Sequence, residues 1–120
     1  MKIITPRNHG YLDYITVAIF LAAPTLVGFN GLPRALAYAL AGIHLAMTLV
    51  TDFPLGVVKL ISFTLHGWVE RVVGPLLVLV PFVLGFEGAA RIFYIAVGIV
   101  IVAVGLLTDY EGTAAAKAEA

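Results

Sequence analysis

One half of this chain is written again in the other. Residues 2–53 and residues 59–110 align without a gap at an offset of 57 positions, Lys2 falling on Lys59. His9-Gly10 falls on His66-Gly67, Pro24 on Pro81, and Gly28-Phe29 on Gly85-Phe86. Gly31 falls on Gly88, Arg34 on Arg91, and Thr51-Asp52 on Thr108-Asp109. A unit that occurs twice must fold twice in the same way, so it constrains architecture before any local propensity is weighed.

The repeated unit is strongly apolar. Of 120 residues, 62% are hydrophobic and 12% charged, half the charged share of an ordinary soluble domain. A soluble fold of this length has room for one domain and could not bury that much apolar surface. A bilayer can. Formal charge is zero, which gives no basis for a nucleic-acid partner. Cysteine is absent, which removes disulfides, thiolate metal sites and a cysteine nucleophile. Lys2 and Arg7 ahead of an apolar run, with Ala22-Ala23 beyond it, have the outline of a signal peptide. The same run recurs in mid-chain at residues 72–86, so the first is read as a retained span.

Four spans are expected within a single transmembrane domain covering residues 1–120. Repeat one is 2–53, a linker follows at 54–58, repeat two is 59–110, and residues 111–120 form a polar, low-complexity tail. After a short polar lead at residues 1–10, span one runs from about Leu12 to Phe29, about 27 Å of helix against a hydrocarbon core of about 30 Å. Pro24 lies inside it, so a kink or loosening is expected near its far end. Asn30-Gly31-Leu32-Pro33 makes the turn, and span two covers Arg34 to Val50. Residues 57–65 are too short to span and read as an interfacial segment or covered loop. Spans three and four are Val69–Phe86, with Pro81 inside, and Arg91–Thr108. The fold class is therefore an all-α membrane protein, four transmembrane helices arranged as two helical hairpins. With two spans per repeat, both repeats enter from the same side and are parallel rather than inverted.

Lysine and arginine set orientation. Lys2, Arg7, Lys59, Arg71 and Lys117 lie on the side of the termini, and Arg34 and Arg91 on the other. That bias is expected to put both termini in the cytoplasm. Span two carries Ala35, Ala39, Gly42 and Ala46 on one helical face, and span four repeats Ala96 and Ala103. A second small pair, Ala41 and Thr48, matches Gly98 and Gly105 and points roughly opposite. Small residues let helices approach closely in lipid. One such face serves the hairpin; a second suggests a contact across the repeat axis or with another subunit. The alternative is that Ala and Gly are simply frequent in membrane helices.

The polar residues gather at the side of the termini: His9, Asp13, Asp52, His66, Glu70, Arg71 and Asp109. His9 with Asp13, and His66 with Glu70, are each four apart, neighbours on a face if the helix has begun by then. Asp52 and Asp109 end their helices, where the dipole disfavours a carboxylate, and Arg34 and Arg91 begin theirs, equally misplaced. An antiparallel hairpin resolves both, since each Arg then lies beside the preceding helix's last carbonyls and each Asp beside the odd helix's first amides. The leading reading is structural, with Pro24, Gly28, Arg34, Asp52, Pro81, Gly85, Arg91 and Asp109 shaping and sealing the hairpins. The functional reading is a pair of His–carboxylate clusters holding a metal ion or passing protons, with His9, Asp13, Asp52, His66, Glu70 and Asp109 as candidates. Haem held between His9 and His66 is a rarer alternative. His44 sits in mid-span with Ile101 as its repeat partner, a functional candidate by depth, or a neutral imidazole bonded to a carbonyl. Trp68, Tyr11, Tyr14, Tyr94 and Tyr110 read as interfacial anchors. No phosphate loop, nucleophile elbow or catalytic carboxylate pair is legible, and no cofactor is expected.

His-Gly-x-Leu-Asp-Tyr at residues 9–14, a proline four residues before Gly-Phe, and the same scheme after Thr-Asp together resemble the SPW-repeat family of small bacterial membrane proteins. The resemblance covers residues 2–110. It implies two transmembrane helices per repeat, with a Ser-Pro-Trp motif in the first of each pair. Here Ala23-Pro24-Thr25 and Val80-Pro81-Phe82 keep only the proline. The resemblance brings architecture and assigns no catalytic residue, cofactor or substrate. Two kinds of function stay open: a non-enzymatic accessory or scaffold component in the bilayer, joined to further copies or to another membrane protein, and a small ion or proton transporter gated by the His–carboxylate clusters.

Overall fold

The structure, a computed structural model, describes residues 2–111; the tail beyond Glu111, with Lys117, lies outside the described residues. Four long helices make the molecule: α1 (Pro6–Ala23), α2 (Gly31–Leu49), α3 (Phe63–Leu84) and α4 (Gly88–Leu107). All four are long and apolar enough to cross a membrane. They pair as hairpins, α1 with α2 and α3 with α4.

The odd helices start earlier than hydropathy suggests. Thr5 caps α1 by accepting the Asn8 N–H at 3.2 Å, with Pro6 in the first turn. Ser62 does the same for α3, accepting the Leu65 N–H at 3.1 Å. Capping sets where a helix begins, whereas hydropathy marks only the part that faces lipid. The second half of the polar lead at 1–10 and the end of the segment at 57–65 are therefore helical, which brings His9 and His66 inside helices. Past Pro24 the backbone widens into a π-helical turn over Pro24–Gly28, the loosening expected there. At the equivalent Pro81 the α-helix continues to Leu84 and closes on Gly85, whose φ of 72° suits glycine.

Two short parallel pairings lock the ends. Strand β1 (Thr51–Asp52) runs beside β2 (Ile61–Ser62), with Thr51 opposite Ile61. Ile4 forms the matching bridge with Thr108. The Ile61 N–H donates to Val50 O and the Ile4 N–H to Leu107 O, both at 2.9 Å. These are the same contact in both repeats, and each joins the start of one repeat to the end of the other.

The core toward the far end is apolar and aromatic, with Val17, Phe20, Phe29, Leu77, Phe86, Tyr94 and Ile101 among its residues. Tyr94 is fully buried and its hydroxyl donates to Pro33 O at 2.6 Å, tying the two hairpins together. Tyr110 is also buried, in a smaller cluster with Phe53 and Phe63. Neither is an interfacial anchor: each fills a gap between hairpins that only the assembled bundle creates. Tyr11 and Trp68 do face outward, and Tyr14 donates to Leu55 O at 2.9 Å. Arg34 donates to Asn30 Oδ1 at 2.9 Å and to Thr25 Oγ1 at 3.5 Å, while Arg91 donates to Phe86 O at 3.0 Å.

Of the two small faces, one closes the hairpins. Ala41, Thr48, Gly98 and Gly105 are buried. Gly74 and Gly98 meet back to back: a Cβ on Gly98 would stand 2.8 Å from Gly74 O. Ala35, Ala39, Gly42 and Ala46, with Ala96 and Ala103, face outward.

Candidate functional site: a buried histidine–carboxylate centre

The first turns of α1 and α3 meet where α2 and α4 end, so residues at the start of each repeat face residues at the end of the other. His9 and Asp13 stand on one face of α1, and His66 and Glu70 on one face of α3, as a spacing of four dictates once both positions are helical. The hairpins bring these two pairs into one centre rather than two. His9 Nε2 lies 3.2 Å from Asp13 Oδ1 and 2.8 Å from Glu70 Oε1. His66 Nε2 lies 3.1 Å from Asp13 Oδ2 and 2.9 Å from Glu70 Oε1. Each imidazole thus faces both carboxylates, and all four side chains are buried.

The other ring nitrogens are fixed by threonine. His9 Nδ1 is 2.8 Å from Thr108 Oγ1, and His66 Nδ1 is 2.8 Å from Thr51 Oγ1. Each hydroxyl has one proton, and it goes to the carbonyl one turn back: Thr108 donates to Val104 O and Thr51 to Met47 O, both at 2.6 Å. The threonine oxygens must therefore accept, and each histidine donates from Nδ1–H. That leaves Nε2, on both rings, as the atom turned toward the carboxylates. If the rings are neutral, each Nε2 presents a lone pair.

His44 joins from α2, with Nε2 3.5 Å from Asp13 Oδ1. It does not stand alone in mid-span: its ring lies 6.3 Å from that of His66. Its repeat partner Ile101 is part of the apolar core, so the centre is symmetric in four residues and asymmetric in the fifth. Phe63 packs edge-on against His9 at 5.1 Å and Phe53 lies 5.9 Å from His66, closing the centre toward the termini. Tyr110 stands 5.5 Å from His9, and burial pushes its phenol above the ordinary range. On the opposite side Val17, Phe20, Leu77 and Ile101 begin the apolar core.

His9, Asp13, His66 and Glu70 offer one ligand atom each within 4.8 Å of one another, a group able to hold a metal ion. Asp52 and Asp109 are outside that group. Asp52 lies in β1, and Asp109 lines a cleft of about 340 Å³ with Lys2, Trp68, Arg71 and Tyr110. The residue before each of them, Thr51 or Thr108, makes the contact to a histidine Nδ1 at these helix ends. The signal for it was present, since an identical Thr precedes an identical Asp in both repeats. A porphyrin has no place between His9 and His66, whose rings are 5.4 Å apart with both carboxylates between their Nε2 atoms.

A family model described as the SPW repeat domain matches residues 7–108. The chain belongs to the SPW repeat family. That match takes in both hairpins, from the first turn of α1 to Thr108, and so covers every member of the centre. With four helices among the described residues long and apolar enough to cross a membrane, this SPW repeat protein is a multi-pass membrane protein. No curated protein and no solved structure matches the chain significantly.

Proposed function

We propose that this chain is a non-enzymatic component of the membrane that self-associates. In this reading the buried centre fastens the two repeats and the outer faces of α2 and α4 meet further copies. The observation that carries it is the small-residue face of α2, where Ala35, Ala39, Gly42 and Ala46 are all exposed. The hairpin does not need that face, because Ala37, Ala41 and Thr48 are the buried residues of α2. In lipid, burying one large apolar side chain against another gains little, and close backbone approach is what drives helices together. A second copy is the favoured occupant because the repeat supplies a comparable face, through Ala96 and Ala103, on α4. The setting we propose is a bacterial inner membrane with both termini cytoplasmic. Lys2, Arg7, Lys59 and Arg71 near one end, against Arg34 and Arg91 at the other, support that orientation.

The natural absence of cysteine makes a clean test possible. A single Ala39→Cys should cross-link to a dimer in native membranes, whereas Leu76→Cys, on a lipid-facing part of α3, should not. Ala39→Leu should reduce association while the melting temperature of the monomer holds. Equal cross-linking from both positions would mean chance collision and defeat the reading.

A second reading, an ion or proton carrier, draws on His44, which adds a third imidazole to the polar chain beside Asp13. The apolar layer of Val17, Phe20, Leu77 and Ile101 beyond the centre weighs against it. Cation- or proton-dependent flux into liposomes containing the purified protein, abolished by Asp13→Asn, would favour this reading over the first.

A further inference from the structure

We infer that the centre is a binding site for a divalent transition-metal ion of the zinc class, held by His9 Nε2, His66 Nε2, Asp13 and Glu70, with Thr108 and Thr51 as the residues that orient the two imidazoles. This goes beyond self-association and does not depend on it.

Geometry is the first ground. A four-coordinate ion with ligands at about 2.0–2.1 Å needs its ligand atoms about 3.3 Å apart. The four histidine–carboxylate separations are 2.8, 2.9, 3.1 and 3.2 Å, with Asp13 turning one oxygen to each ring, and one ligand atom from each residue lies within 4.8 Å of the other three, so modest side-chain adjustments bring four ligand atoms onto one ion. The second ground is the fixed tautomer. A metal-binding histidine characteristically donates its other N–H to a fixed acceptor, which orients the ring and raises its basicity. Here two histidines from different repeats each have that acceptor, in a threonine whose own proton is committed elsewhere.

The third ground is unmet bonding. His66 Nε2 and Asp13 Oδ2 are only 3.1 Å apart, yet neither makes a well-formed hydrogen bond among the described residues. Buried polar atoms close together but not aimed at one another are the expected arrangement around a shared cation. Charge agrees. Two carboxylates and two neutral imidazoles sum to two negative charges, and charges this deeply buried require a matching partner. One divalent cation supplies it. Two imidazoles in the set favour zinc and its neighbours over magnesium or calcium, which take oxygen ligands.

The competing occupant is a pair of protons, one on each Nε2, which would make the centre a hydrogen-bonded ion-pair clamp with no affinity for metal. Cobalt distinguishes the two. The full chain, purified in mild detergent, stripped with a strong chelator and reloaded with Co²⁺, should bind one ion per chain. It should show the intense visible absorption of a four-coordinate ion, with two imidazoles detected by X-ray absorption. Thr108→Val keeps all four ligands and removes the acceptor for His9 together with the bond to Val104 O, so affinity should fall by about 10–100-fold with the spectrum retained. Glu70→Gln keeps the side-chain size, removes a charged ligand and should abolish the four-coordinate spectrum. Failure of the parent to bind cobalt stoichiometrically, or binding that His9→Gln and His66→Gln leave unchanged, overturns the inference. The parent carries the spectral readout alone, so a variant that does not fold cannot rescue it.

Discussion

Thr108 illustrates how much one hydroxyl can decide. Its proton is spent on Val104 O, and its oxygen takes the Nδ1–H of His9 from the opposite end of the chain. Thr51 and His66 repeat the arrangement. Replacing Thr108 by valine keeps the shape and removes the acceptor, leaving a buried N–H unpaired, a loss of about 1–3 kcal/mol. Thr108→Ser restores the oxygen and should recover most of that. Melting temperatures in detergent should therefore rank parent, then serine, then valine. If valine melts with the parent, water or another acceptor reaches His9, and the tautomer argument fails with it.

At the scale of the helices, the contrast is between two kinds of small residue. Gly98 is in contact with its partner: a Cβ there would lie 2.6 Å from Val78 Cγ2 and 2.8 Å from both Val78 N and Gly74 O. Two of those three atoms are backbone and cannot turn aside. Gly42, on the outward face of α2, has nothing within 4 Å of its would-be Cβ. Gly98→Ala should therefore destabilise the α3–α4 hairpin by about 1–3 kcal/mol, the usual range for overpacking. Gly42→Ala should be neutral for the monomer or gain up to about 1 kcal/mol of helix propensity. Paired thermal melts of the two alanine variants check this. Equal losses would mean that α2 packs inward on the face assigned here to association.

Taken whole, the molecule is closed at one end by matching pairings between the start of each repeat and the end of the other. Ile4 pairs with Thr108 as Ile61 pairs with Thr51, so the first and last described segments lie on the same side of the bundle. Topology reporters attached at residue 1 and at residue 120 should agree with each other and oppose one inserted at Gly31. Disagreement between the two terminal reporters would sink the four-span arrangement, and the shared centre with it.

Much of this was legible in sequence because it rests on local periodicity. The 57-residue offset, four apolar runs, repeated prolines and glycines, and His–carboxylate pairs four apart are properties of a segment and its copy. They fix two helical hairpins, a membrane setting and one end where polar residues gather. What they could not fix is how one hairpin is rotated against the other. That rotation joins His9 to Glu70, 61 positions away, and turns two possible clusters into one. It hands the Nδ1 contacts of His66 and His9 to Thr51 and Thr108, and buries Tyr94 and Tyr110. Each of those outcomes depends on surfaces that exist only once both hairpins have formed, and no window along a single helix contains them.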